Sequence, residues 1–355
     1  MKKNNGFQQR KKSARLWLIV VLMLCLVIFP AGCRDDNDFE WPEQINIGYL
    51  RVPNDETIAK AEQYFEDYFA DKGIDCSFIV FDSGVDANKA LLSNSIDFAT
   101  MGHTNAVIAL ATGIKVELVW IHEVLGKAEQ LVVRQHRGIE RIEDLAGRQV
   151  ATVFASTAHY SLLNALRDAG IEDQVTLLDM QTADIVAAWE RGDIDAAYTW
   201  QPTLDRLLAE GLSLVSSEEM AECGVVTANV LLARQGFSQK YPILMADFIS
   251  ALAKAGDLYR ADPEKAAQIA GDELEIPTTV ASEQMSGSLW LTREEALSEA
   301  FMGTSADPGH FVQVMHDTAA FLAEQQSIQS IPTYEDFAAF VNPEWIEQSL
   351  QSEQN

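Results

Sequence analysis

The sequence predicts an α/β protein of two similar lobes, each a mostly parallel sheet flanked by helices, with a ligand cleft between them. Three observations lead there. Apolar runs of strand length alternate with helix-patterned segments at the spacing of βαβ units. Two stretches share one pattern, a short helix, a turn, Ile-Asp, a short apolar strand and a polar loop; their Ile-Asp pairs are Ile96-Asp97 and Ile194-Asp195, 98 residues apart (194 − 96). Finally, Ala151–Leu166 turns from an apolar run straight into a helix pattern with Leu162, Leu163 and Leu166 on one face.

In chain order, the first 32 residues carry six basic residues and no acid, followed inside that span by an unbroken apolar run of fourteen, Leu16 to Phe29. Such a run is short for a membrane span, which needs roughly 20 residues, and fits a signal-peptide core. Pro30-Ala31-Gly32-Cys33 follows, and small residues before a cysteine resemble a lipobox, with Pro30 where an aliphatic residue is usual. The expectation is a signal peptide at 1–32, lipidation of Cys33 and a polar tether at 33–43; an uncleaved signal anchor is the alternative. Either way the rest is expected outside the cytoplasm, periplasmic or on the cell surface, held at the membrane.

Without the leader the charge is 26 − 6 = 20 basic against 53 acidic residues, or −33. A surface this acidic repels phosphate backbones, so nucleic acid is excluded as a partner. Any anion bound here needs local, oriented donors. Cys76 and Cys223 remain, with no metal-ligand spacing, and read as separate packed thiols.

The folded part opens with a strand at Ile45–Tyr49, a helix predicted over Thr57–Ala70 and a strand at Cys76–Phe81. Gln130–Arg134 reads as a strand crossing to the second lobe and Val225–Ala233 as one crossing back, which gives lobe 1 as 44–131 and 232–345 and lobe 2 as 132–231. Pro242 to Asn342 is mostly helix-patterned and offers packing rather than chemistry.

The strand-to-helix stretch supplies the chemistry. Ser156 is placed as an N-cap, its hydroxyl bonded near His159. Backbone N–H groups freed at a helix start, together with the helix dipole, make an anion site without lysine or arginine; an ordinary capped helix after a buried strand is the alternative. Ser156, Thr157, Ala158 and His159 are the candidate donors, with Thr104 facing them from the other lobe. Tyr198 and Trp200 offer an apolar wall, and Trp200 could also face a cation. Each has a packing alternative: His159 as a first-turn packing residue, Trp200 as core at a strand end, and Trp189 as core. His122-Glu123 suggests a metal, but no third ligand stands at suitable spacing, and neither GxSxG nor a phosphate loop occurs. Neither cofactor nor metal is expected.

The motifs Phe81–Gly84 (FDSG), Ser156–Leu163 (STAHYSLL), Ala187–Trp200 (AAWERGDIDAAYTW) and, more weakly, Asp317–Gln325 resemble the substrate-binding proteins of ABC transporters for taurine and other aliphatic sulfonates. The likeness runs from about Ile45 to Val341. It implies the two-lobed type II periplasmic-binding-protein fold, a non-enzymatic receptor for a taurine-like organosulfonate, a permease and ATPase as partners, and a monomer. Laid onto this chain, the family pattern matches Glu129 to the acid that meets the taurine ammonium. It places His103-Thr104-Asn105 where a loop of small residues is usual, Asn229 where Asp is common, and Gln201 where a small or acidic residue is often seen. An alkanesulfonate, a sulfate ester or a thiamine-pyrimidine precursor is the alternative ligand. A pyrimidine-precursor synthase of the same fold is the enzymatic alternative, though its cysteine-rich motif is absent here. A solvated strand-end acid is the alternative role for Glu129.

Overall fold

A computed structural model describes residues 40–352; the predicted leader, Cys33 and most of the tether lie outside the described residues. The strands are β1 (Gln44–Leu50), β2 (Asp75–Phe81), β3 (Phe98–Gly102), β4 (Val116–Leu125), β5 (Glu129–Arg134), β6 (Gln149–Thr152), β7 (Thr176–Asp179), β8 (Ala196–Trp200), β9 (Gly211–Ser216), β10 (Ala228–Arg234) and β11 (Ser288–Leu289). They form two sheets, ordered β11-β4-β10-β3-β1-β2 and β7-β6-β8-β5-β9. In the first, β1 pairs parallel with β2 and β3, while β10 runs antiparallel between β3 and β4. In the second, β6 pairs parallel with β7 and β8, while β5 runs antiparallel between β8 and β9. Leaving aside the two-residue β11, the two sheets have the same topology. Each takes as its antiparallel member the strand by which the chain enters or re-enters it: β5 belongs to the second sheet and β10 to the first.

The Ile-Asp repeat has a structural cause. Ile96 and Ile194 are buried at the foot of β3 and β8. Asp97 accepts from the Asn46 amide of β1 at 3.0 Å and returns its own N–H to the Asn46 carbonyl at 2.8 Å; its carbonyl accepts the Arg234 N–H of β10 at 2.9 Å. Asp195 repeats these bonds, to Gln149 of β6 at 3.1 and 2.9 Å and from the Arg134 N–H of β5 at 3.0 Å. In the first sheet the Arg234 guanidinium adds an ion pair to Asp97 at 2.5 Å. One aspartate thus joins three strands, because a carboxylate accepts several N–H groups at once.

The helices follow their sequence patterns closely, with one exception. The helix predicted over Thr57–Ala70 is two, Asp55–Ala61 and Tyr64–Phe69, broken at Gln63 in the left-handed region (φ 58°). After the break, Phe65 and Phe69 are both fully buried, with the Phe65 ring centroid 4.5 Å from that of Phe248. Phe248, on the long helix Pro242–Ala261, also stacks on Phe98 of β3 at 3.9 Å. Trp189 is core as expected, under the Arg134 guanidinium at 4.5 Å. Of the two cysteines read as packed thiols, Cys76 is half-buried, its thiol pushed up to about 12 by burial, whereas Cys223 is exposed where a short helix ends.

Asp97→Ala removes the acceptor of the Asn46 amide and the partner of Arg234. Urea unfolding should show a loss of about 1.5–3 kcal/mol, the worth of hydrogen bonds to a charged group.

Candidate functional site

A cavity of about 580 Å³ opens between the two sheets. It lies where six strands end and the chain turns into the next helix: after β1 (Leu50 to Pro53), β2 (Phe81 to Val85), β3 (Gly102), β6 (Val153 to Thr157), β7 (Gln181 to Ala183) and β8 (Trp200 to Pro202). Ligands of open α/β sheets bind outside the carboxyl ends of the strands. Each turn aims a helix start at the same space, so the partial positive ends of several dipoles converge there. Among the described residues, Arg51 is the one cationic side chain in the wall, its Nη2 donating to the Leu274 carbonyl at 2.8 Å. The lobes approach closely at one side: a Cβ on Gly102 would meet Thr157 Cγ2 at 3.0 Å.

Glu129 faces this cavity from the start of β5, opposite Trp200 in register, and is 1% exposed. Its Oε1 accepts from the Thr157 hydroxyl at 2.5 Å and its Oε2 from the Ser217 hydroxyl at 2.7 Å. Thr157 and Ser217 each open a helix, Thr157–Asp168 and Ser217–Glu222. Because the Ser217 hydrogen goes to Glu129, the Tyr198 hydroxyl, 3.1 Å away, donates to Ser217. Burial pushes the Glu129 carboxyl up to about 7, against the pull of the two hydroxyls.

A second acid, Glu123 on β4, reaches the same cavity at 4% exposure. Its Oε1 accepts from the Asn229 amide of β10 at 2.6 Å, while Oε2 lies beside Asn54 with no hydrogen bond of ordinary geometry. Behind it, His122 Nδ1 meets Asp55 Oδ1 at 2.5 Å and its Nε2 meets the Thr100 hydroxyl at 2.9 Å, which donates to Glu56. Burial pulls the His122 imidazole down, but Asp55, Glu56 and Glu123 outweigh it and lift it to about 9; burial pushes Glu123 and Glu56 up to about 7. This is a buried ion-pair cluster, and among the described residues there is no group of side chains that could hold a metal ion.

Of the residues singled out from sequence, Glu129, Ser156, Thr157, Trp200 and Asn229 line the cavity, as does Gln201. Ser156 caps its helix as expected, accepting from the His159 amide at 3.2 Å, with its own hydrogen given to the Val153 carbonyl at 2.6 Å. All three hydroxyls read as anion donors are therefore committed, Ser156 to Val153, Thr157 to Glu129 and Thr104 to Ala155. What the helix start offers an anion is backbone N–H.

The other five stand behind the wall. Ala158 is fully buried in the first turn. His159 stacks on Phe154 at 4.3 Å and accepts the Ala155 amide on Nδ1 at 3.3 Å. His103 opens its helix but turns away from the cavity: Nδ1 accepts from the Ala228 amide at 3.4 Å and Nε2 donates to Thr318, whose own hydrogen goes to Val314. Burial holds the His103 ring neutral, down to about 3. Thr104 donates across the lobes to the Ala155 carbonyl at 3.0 Å. Tyr198 is fully buried and supports Glu129 through Ser217.

Sequence reasoning missed Gln284 and Trp290 and gave no ligand role to Glu123 or Asn105, all on the wall. Gln284 and Trp290 come from the C-terminal part read as packing, and Gln284 Nε2 is buried without a partner. Ser83, the N-cap of the helix Gly84–Leu92, lay inside the FDSG motif, which was the signal available.

Comparison with known proteins places this geometry. Residues 62–266 match the family described as NMT1/THI5 like. The taurine-binding periplasmic protein of Escherichia coli (strain K12) is 30% identical over 315 residues, 85% of this chain and 92% of that protein. The periplasmic aliphatic sulphonate binding protein of Escherichia coli superposes with a TM-score of 0.69 at 21% identity, covering 83% of this chain and 92% of that one. The desulfurization enzyme DSZB shares the fold with a TM-score of 0.63 at 17% identity, covering 88% of this chain and 100% of that one.

The raised Glu129 carboxyl costs the ligand-free protein stability once it must ionise. Its contribution is full below the unfolded carboxyl value and is lost as pH rises toward about 7. Relative to Glu129→Gln, the wild type should therefore melt progressively lower as pH goes from 4.5 to 8, as read by paired thermal-unfolding scans.

Proposed function

Because the chain belongs to the NMT1/THI5-like family, among its taurine- and aliphatic-sulfonate-binding proteins, we propose that it captures taurine or a related small organosulfonate outside the cytoplasm. It then delivers the ligand to the permease and ATPase of an ABC importer. The observation that carries this reading is Glu129, a buried carboxyl supported by two hydroxyls and no cationic side chain, in a cavity rimmed by helix starts. Such a site lacks a countercharge, and an ammonium supplies it. The sulfonate is a diffuse monoanion suited to the amides at the start of the helix Thr157–Asp168 and its neighbours. Trp200 and Trp290 give the short methylene chain an apolar wall. Capture is by closure of the two lobes around the ligand, with the protein acting as a monomer tethered through lipid on Cys33 after removal of residues 1–32.

A sulfonate without an amine is the second reading, favoured by the apolar side of the wall.

Calorimetry separates the two. Glu129→Gln should weaken taurine by roughly ten- to more than a hundredfold, the equivalent of one charged hydrogen bond of about 1.5–3 kcal/mol. Ethanesulfonate, which lacks the ammonium, should be nearly unaffected; equal losses for both would refute the role of Glu129.

Anchoring is tested separately. Expressed in a bacterial host, the mature protein should begin at an acylated Cys33 by mass spectrometry, and Cys33→Ala should carry no lipid. An unmodified Cys33 in the wild type excludes the anchor.

A further inference from the structure

Glu123 has no part in the recognition scheme above, yet its position is hard to explain as packing. It stands on β4, 4% exposed, with its side chain in the wall of the cavity. One carboxyl oxygen is held by the Asn229 amide at 2.6 Å; the other lies beside Asn54 with no hydrogen bond of ordinary geometry. A buried charged group with an unfilled acceptor is costly. The imidazole of His122 does not fill it, because both ring nitrogens are engaged by Asp55 and Thr100. His122 is the extra residue of a bulge, between Ile121, which pairs with Val230, and Glu123, which pairs with Asn229. An ionised carboxyl is acceptor-only, so what it lacks is a well-placed hydrogen-bond donor, and the side chain stands in the wall of the ligand's cavity.

We propose that Glu123 is a second ligand-contacting carboxylate, supplied by the first lobe, that accepts a hydrogen bond from the cationic nitrogen of the bound sulfonate. The assignment rests on the organosulfonate reading and deepens it: with Glu129 on β5 and Glu123 on β4, the nitrogen is met by an acid from each lobe. A primary ammonium has three N–H donors and satisfies both. A protonated tertiary amine has one and satisfies a single acid. The pair therefore selects for an unsubstituted amine, and the ligand's nitrogen links the two lobes.

Calorimetry at pH 8 on the full mature chain tests this with three probes: taurine, N,N-dimethyltaurine and ethanesulfonate. The wild type should prefer taurine over the dimethyl analogue by at least tenfold. Glu123→Gln should lose at least tenfold for taurine, lose most of that preference, and bind ethanesulfonate as well as the wild type or better, because a negative charge has left the wall. Glu123→Asp, which keeps the charge, should restore part of the taurine affinity. Undiminished taurine affinity in Glu123→Gln overturns the assignment, as does an equal loss for taurine and ethanesulfonate, which marks a structural role. If Glu123→Gln does not fold, Glu123→Asp decides by the same comparison, with loss confined to the amine-bearing probes required. A wild type that binds no sulfonate overturns the parent reading and this one with it, an outcome distinct from loss in the variant alone.

Discussion

Where each sheet accepts the strand that runs against its neighbours, an aspartate closes the junction. Asp97 ties β1, β3 and β10 together, and Asp195 does the same for β6, β8 and β5. These bonds sit at the ends of β3 and β8 away from the cavity, and they fix the register with which the chain enters each sheet. Glu129 begins β5 and Asn229 stands near the start of β10. A one-residue slip in either strand would turn the opposite face to the ligand. The geometry of the candidate site thus depends on two carboxylates that stand away from the cavity.

The charge pattern of the cavity differs from that of the whole molecule. A chain of net charge −27 repels free anions at long range, so an anionic group must be held by short-range donors. Converging helix starts provide these, while the cationic side chain in the wall, Arg51, is committed to the Leu274 carbonyl. Against this positive rim stand two acids whose carboxyls burial has lifted to about 7. A cavity that holds both helix starts and unneutralised carboxyls fits the proposed ligand, which carries both signs.

Much of this was legible in the sequence, for identifiable reasons. The Ile-Asp repeat reported a duplicated topology because the same hydrogen bonds recur in both sheets. The turn at Ser156 was readable because strand, cap and helix are all local patterns. Glu129 and Asn229 came from the family likeness and Trp200 from its place at a strand end, and all three line the cavity. What local pattern could not supply was rotation. It locates the first turn of a helix but not which of its residues faces the ligand, so His103, Thr104, Ala158 and His159 were grouped with Ser156 and Thr157, although tertiary packing turns them inward. Nor does periodicity show that a hydroxyl is already committed, as those of Thr157 and Ser156 are. Glu123 was hidden by its neighbour: beside His122 it suggests a metal ligand, and only the fold shows that His122 is held by Asp55 and Thr100 while Glu123 lines the cavity. Gln284 and Trp290 were missed because a long helix-patterned tail gives no sign of which of its turns reaches the cavity.

The register of β5 and β9 has a consequence for how such a molecule can be altered. Gln130 pairs with Ser216, so the continuous segment that builds the second sheet leaves and rejoins the rest of the chain at neighbouring points. Topologically it is an insert with adjoining ends, and exchange of the whole segment between homologues would be a single splice rather than a rebuilding. Such a chimaera would receive Glu129, Thr157 and Trp200 from one parent while keeping Glu123 and Asn229 from the other. The two halves of the ligand's surroundings are therefore separately heritable, and new specificities can arise by recombination as well as by point substitution.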